Sequence, residues 1–184
     1  LAMRNSYHGR SHTAQAITAQ SSWSMAAMSG LNVNFIQGAY RLRSPFRDLD
    51  DDAFTAACVD DLVQMIDMGT AGRVAAMIAE PVSGAGGVIV PPAGYFDAVQ
   101  QVLDRYGIWL WDDEVICGFG RLGTDFGATK MGMAPQMITL AKALSSAYVP
   151  ISAAIVQGDI ADCIGASATD VGVFGHGYTY SGHP

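Results

Sequence analysis

Apolar residues in this chain gather into short runs that stop on a charge. Ile108-Trp109-Leu110-Trp111 leads directly into Asp112, Asp113 and Glu114. Met137-Ile138-Thr139-Leu140-Ala141 leads into Lys142, and Val74-Ala75-Ala76-Met77-Ile78-Ala79 leads into Glu80. Each run has the length and the β-branched or aromatic content of a buried strand. Outside these runs the period changes from continuous to helical. Phe54, Cys58, Leu62, Met65 and Ile66 recur every three or four residues, with Asp60, Asp61 and Gln64 on the other face. That pattern predicts a helix over 53–68, ended by Gly69 and Gly72. A second helix is predicted over 94–106, with Tyr95, Phe96, Val99, Val102 and Leu103 inward and Asp97, Gln100 and Asp104 outward, stopped at Gly107.

Strand, helix, strand in that order predicts one right-handed parallel crossover. Shorter signals add strands at 33–36 and 152–156 and a helix at 159–164. Residues 12–28 carry a weak helical or irregular pattern, and 114–136 have no strong helical period. Residues 38–52 suggest a surface loop whose acids (Asp48, Asp50, Asp51, Asp52) start the following helix rather than hold a metal. Ser83-Gly84-Ala85-Gly86-Gly87 is a glycine loop. The fold class expected is α/β, a mostly parallel sheet flanked by helices.

Composition agrees with a sheet covered on both faces: 50% of the 184 residues are hydrophobic and 15% charged. A net charge of −7 disfavours nonspecific binding to nucleic acid or an anionic membrane. No apolar run approaches the roughly 20 residues that span a bilayer. The first residues lack the apolar core of a secretion signal. Cys58, Cys117 and Cys163 are odd in number and widely spaced, which suggests reduced structural thiols in a cytoplasmic protein and no metal site. The chain does not begin with Met and stops inside Ser181-Gly182-His183-Pro184, so it is expected to be a piece of a longer polypeptide.

Charges that end buried parallel strands sit where such sheets place their chemistry. An acid and an amine presented together are the two handles that pyridoxal phosphate needs, the amine for its aldehyde and the acid for its pyridine nitrogen. An amine attacks an aldehyde only when neutral, which for a lysine requires burial or a nearby cation. The residues equally allow a structural ion pair between Lys142 and one of the acids. Adjacent strand residues point to opposite faces, so only one of Asp112 and Asp113 can face a ligand. Tyr7-His8-Gly9 fits either an aromatic stacked on a cofactor or an ordinary turn. Gly118-Phe119-Gly120-Arg121-Leu122-Gly123 matches G-x-G-x-x-G, but it does not lie directly between a strand and a helix. Those glycines are expected to let the loop pass close to other backbone rather than bind a nucleotide.

The run Trp111-Asp112-Asp113-Glu114-Val115-Ile116-Cys117-Gly118-Phe119-Gly120-Arg121, with Lys142 after the next strand, resembles the class III pyridoxal-phosphate-dependent aminotransferases of fold type I. Tyr7-His8-Gly9, Glu80-Pro81 and the 176–184 segment support the likeness over nearly the whole chain. The resemblance implies that Lys142 forms the Schiff base with pyridoxal 5'-phosphate and shuttles the proton. It implies that Asp113 pairs with the pyridine nitrogen and that Val115 packs on the ring opposite Tyr7. It places His8 and Gly9 at the cofactor and Glu80 close behind it. Thr179 would bind the phosphate of the neighbouring subunit's site, in a homodimer with shared active sites.

Gln136, Ala147 and Ile116 depart from the family's usual Asp, Gly and Gln. Glu114 to Gly118 and Leu144 to Tyr148 look most like the omega-amino acid:pyruvate branch. The implied reaction takes an amino group from an amine or omega-amino acid donor and gives it to a keto acid such as pyruvate. Alternatives on the same scaffold are an aminomutase, a decarboxylase or a catalytically silent binding protein. The resemblance makes residues 1–184 part of the cofactor-binding large domain, with a phosphate loop before Leu1 and a small domain after Pro184. The piece alone is therefore expected to bind the cofactor poorly.

Overall fold

A computed structural model describes residues 1–20, 30–70, 72–177 and 179. Six strands form one sheet in the order β2-β1-β3-β4-β5-β6. They are β1 (Ala2–Met3), β2 (Phe35–Ile36), β3 (Ala76–Ala79), β4 (Trp109–Asp113), β5 (Met137–Leu140) and β6 (Ala153–Val156). All neighbours are parallel except β5 and β6. The expected α/β class and mostly parallel sheet are borne out. Helices α1 (His12–Ile17), α2 (Asp51–Gln64), α3 (Tyr95–Tyr106), α4 (Gly127–Met131), α5 (Gly158–Ala166) and α6 (Ala168–Val171) lie between and after the strands.

The β3-α3-β4 unit follows the predicted crossover closely. All five inward residues of α3 are buried. Gly107, at φ 65°, ends α3 in a left-handed conformation that a glycine adopts without strain. Helix α2 starts where the acidic run predicts. The Asp50 carboxylate accepts from the Ala53 amide at 2.8 Å, and Asp51 and Asp52 fill the first turn. Its end differs from the expected continuous helix. After Gln64 the chain widens into one π-type turn, Met65–Gly69, and the Gly72 amide closes it on the Ile66 carbonyl at 3.1 Å. Asp61, expected on the solvent face, is half-buried and accepts from the Gln37 amide at 2.7 Å.

β1, α4 and α6 escaped the sequence reading, and α1 lies in the segment read as weakly helical or irregular. β1 is two residues long, too short to show a period, yet Ala2 is fully buried between β2 and β3. α1, α4 and α6 are one or two turns each, in segments without a sustained period.

Side chains alternate across β4. Leu110 and Asp112 face the core of α2 and α3, with Phe54, Leu62, Phe96, Leu103 and Met77. Trp111 and Asp113 point the other way, in register with Ile78 and Thr139. That second face is covered less fully than composition suggests. Trp109 is 42% exposed, and between the second face and α1 lie open cavities rather than a packed layer.

Candidate functional site

The parallel register sets three charges along one edge. Glu80 follows β3, Asp113 ends β4, and Lys142 comes two residues after the last residue of β5. A cavity of about 260 Å³ opens there. It is lined by Tyr7, His8, Gly9, Glu80, Asp113, Val115, Ile116, Ala141 and Lys142. Eight sites in the chain were singled out for chemistry, and seven of them meet here. Thr179, the eighth, is exposed and lies outside the lining.

Lys142 and Asp113 share the cavity without pairing with each other. Among the described residues the ion pairs are His8–Asp113, Arg41–Asp51 and Arg47–Asp48. The structural Lys142–carboxylate pair left open by the sequence is therefore absent among them. Lys142 begins a single 3₁₀ turn at φ 43°, in the left-handed region that costs a lysine about 1–2 kcal/mol. Strain of this kind persists only where surrounding contacts impose it, and it concentrates at functional positions.

Asp113 is 4% exposed. Its Oδ2 lies 2.8 Å from His8 Nδ1, and its Oδ1 accepts from the Val115 amide at 3.2 Å. The His8 ring is nearly fully buried and its Nε2 has no hydrogen-bond partner among the described residues. This pairing joins residues 105 apart in sequence. The sequence pointed to Tyr7 for its ring and to His8 only by adjacency. No local signal links a histidine to an acid that distant.

Glu80 fastens two loops. Its Oε1 accepts from the Tyr7 amide at 3.3 Å and from Ser83 Oγ at 3.1 Å, and its Oε2 accepts from the Gly84 amide at 3.0 Å. Burial raises the Glu80 pKa from the usual carboxylate range, against the opposing pull of the Gly84 amide and His8. The glycine loop is also pinned by Asn5, whose Nδ2 donates to the Gly86 carbonyl at 2.6 Å. A Cβ at Gly86 would come within 2.7 Å of the Asn5 carbonyl, so only glycine lets the two loops approach this closely.

The departures have local explanations. Ile116 Cδ1 occupies the space a Gly84 side chain would need, 2.5 Å from the ideal Cβ position, so an apolar contact stands where a polar side chain was expected. Gln136 stitches β4 to β5 by accepting from the Leu110 amide at 2.8 Å. Ala147 sits at φ 67°, a conformation that favours the glycine it replaces. In the G-x-G-x-x-G stretch, Gly120 and Gly123 take φ 92° and 84° in consecutive turns closed on Asp125 and Gly120. It is a folded turn between β4 and α4. No group of three or more metal-binding side chains occurs among the described residues, and no helix among them is long and apolar enough to cross a membrane.

The chain matches the family model "Aminotransferase class-III" over residues 1–184. It is 48% identical over 134 residues to the tomato (Solanum lycopersicum) protein named gamma aminobutyrate transaminase 3, chloroplastic. That alignment covers 73% of this chain and 26% of the relative. It is also 48% identical over 134 residues to vanillin aminotransferase of Capsicum chinense, again 73% of this chain and 29% of the relative. A solved transaminase obtained by ancestral reconstruction superposes with a TM-score of 0.92 at 39% identity, over 100% of this chain and 40% of that one. The omega transaminase from Pseudomonas jessenii, solved in complex with PMP, gives 0.89 at 32% identity, over 97% of this chain and 40% of that one. The chain thus spans between a quarter and two-fifths of the length of these relatives. It belongs to the class-III aminotransferase family.

Proposed function

We propose that the protein is a pyridoxal-phosphate-dependent transaminase, and that residues 1–184 form part of its cofactor-binding large domain. The donor would be an amine or omega-amino acid and the acceptor a keto acid such as pyruvate. One observation carries the reading. The amine of Lys142 and the carboxylate of Asp113 line one cavity and do not neutralise each other.

The residues present suit pyridoxal phosphate. Asp113 spends one acceptor position on His8 and one on Val115, and a carboxylate has about four. Capacity remains for a pyridinium N–H. Tyr7 and Val115 both line the cavity, so a flat ring can lie between an aromatic and a branched aliphatic side chain. When bound, the cofactor supplies an aldehyde that carries nitrogen and a ring that accepts electron density.

The chain's own residues do the rest. Lys142 would hold the cofactor through its amine and, when the donor's amine takes its place, would carry the proton taken from the donor's Cα. Asp113 keeps a proton on the ring nitrogen, and His8 holds the Asp113 carboxylate in place. Glu80 fixes the Tyr7 loop against the glycine loop and so sets the position of the stacked ring. Thr179, exposed here, would reach the phosphate bound in the site of a second copy, in a homodimer with shared sites.

A relative named for gamma-aminobutyrate supports an omega-amino acid donor. Free, widely spaced cysteines suit a reducing compartment, the cytoplasm or an organelle such as the chloroplast in the tomato relative's name.

The test is amino transfer by the full-length protein with pyridoxal phosphate, gamma-aminobutyrate and pyruvate. Alanine should form in proportion to pyruvate consumed. The Lys142→Ala variant should lose the protein-bound cofactor absorbance band and about 10²–10⁴-fold in turnover. Release of carbon dioxide or isomerised donor without an acceptor would replace this reading with a decarboxylase or an aminomutase.

A further inference from the structure

Beneath the cavity, on the core face of the sheet, lies a pair of acids that the proposed reaction does not use. Asp112 and Glu114 are two residues apart on the same face of the β4 backbone, which continues its ladder through the Glu114 amide to the Thr139 carbonyl at 3.0 Å. Asp112 is 0% exposed and Glu114 1%. Glu114 Oε1 accepts from the Ala128 amide at 2.7 Å. Both Asp112 oxygens and Glu114 Oε2 have no hydrogen-bond donor, and no cation pairs with either acid among the described residues.

Two carboxylates in that setting cannot both be ionised. An uncompensated buried charge is costly, and a like charge beside it adds to the cost. One proton resolves most of the conflict. Asp112 as a carboxylic acid donates its O–H to Glu114 Oε2, and Glu114 remains the anion that the Ala128 amide holds. Two of the three orphaned oxygens then have partners. The pKa of Asp112 moves in the matching direction, up, through burial first and then through the charge of Glu114, a hydrogen bond to it, and the charge of Asp113. Other titratable groups nearby are Glu80, after β3, and Cys117, in the turn after β4. Burial pushes the Cys117 thiol up to about 11, and Glu114, Glu80 and Asp112 add to that rise. β5 presents Ile138 and Thr139, and Lys130 of α4 is exposed.

We propose that Asp112 and Glu114 hold a single proton between them at neutral pH, and that this acid–carboxylate pair positions the end of β4, and with it Asp113, against α4. Asp112 is thus a positioning residue that acts through the backbone it shares with Asp113. The device does not depend on which amine the enzyme uses.

The sign of its pH dependence follows. The folded chain keeps a proton that the unfolded chain gives up near the ordinary aspartate value. Stability is therefore fully present below that value and declines as pH rises through the raised one. Deprotonation would set two anions against each other under Asp113.

Full-length holoenzyme, wild type and Asp112→Asn, should be compared by infrared spectroscopy and thermal unfolding between about pH 6 and 10. The asparagine amide donates to Glu114 as the acid does but cannot titrate. The carboxylic-acid C=O absorption of wild type at neutral pH should lose one component in Asp112→Asn. The wild-type midpoint should fall more steeply with pH than that of Asp112→Asn, the two curves diverging toward the alkaline end. Identical infrared bands, or parallel pH curves, would overturn the proposal. Should Asp112→Asn not fold, titration of the wild-type band decides. A band lost in the acid range, with ordinary carboxyls, refutes the shared proton, and one that survives past neutrality supports it.

Discussion

His8 shows how much one side chain can matter without being a reactant. Its Nδ1 is the only side-chain partner of Asp113 among the hydrogen bonds described, at 2.8 Å, and the contact is buried from water. A charge-assisted hydrogen bond so placed is worth about 1.5–3 kcal/mol. His8→Ala should therefore weaken cofactor binding by about 10- to 100-fold in an equilibrium titration, with the fold retained by circular dichroism. Unchanged affinity would show that Asp113 is held by the Val115 amide alone. Glu80 acts in a similar way on two loops at once. Its three hydrogen bonds require an acceptor at both oxygens, so Glu80→Gln places an amide group where one oxygen accepted and should mobilise either the Tyr7 loop or the glycine loop. Amide hydrogen exchange at residues 5–9 and 83–87 reports which.

Elements owe their ends to particular residues. Helix α2 begins at Asp50 because its carboxylate satisfies the Ala53 amide. Asp50→Ala should cost about 0.5–2 kcal/mol in chemical denaturation. Helix α4 is placed by a close approach instead. A Cβ at Gly127 would lie 2.9 Å from both Cys117 Cβ and the Pro81 ring, and neither neighbour can rotate away. Gly127→Ala should destabilise by about 1–3 kcal/mol and should loosen the Ala128 amide from Glu114. α2 and α3 were legible because long amphipathic periods reflect one buried face. α1, α4 and β1 were not, because one or two turns, or two strand residues, carry no measurable period and exist through tertiary contacts.

At the scale of the whole molecule, the exposed large apolar side chains concentrate toward the C-terminal part. Tyr148, Val171, Val173 and Phe174 are 90%, 82%, 87% and 67% exposed. Their exposure is out of proportion to a core in which Phe54, Leu110 and Leu103 reach 0%. Residues 1–184 expressed alone should bind a hydrophobic dye and form aggregates larger than a dimer, and the full-length homodimer should do neither; sedimentation velocity and dye fluorescence would show it. Equal behaviour of the two would mean that these side chains stay at the surface in the complete protein.

The order of hydrophobic and charged residues was enough to establish the α/β class, the β3-α3-β4 crossover and the three charges at strand ends. Those are properties of adjacent residues and of short periods, which a linear string preserves. It also singled out Lys142 and Asp113 as a possible pair. Whether they neutralise each other or open onto one space depended on the register of β4 against β5 and on a histidine more than a hundred residues away, and only folding brings those together. The same holds for Asp112. Next to Asp113 in the chain, it faces the opposite side of the sheet, and the absence of a partner for its oxygens exists only once the core has closed around it.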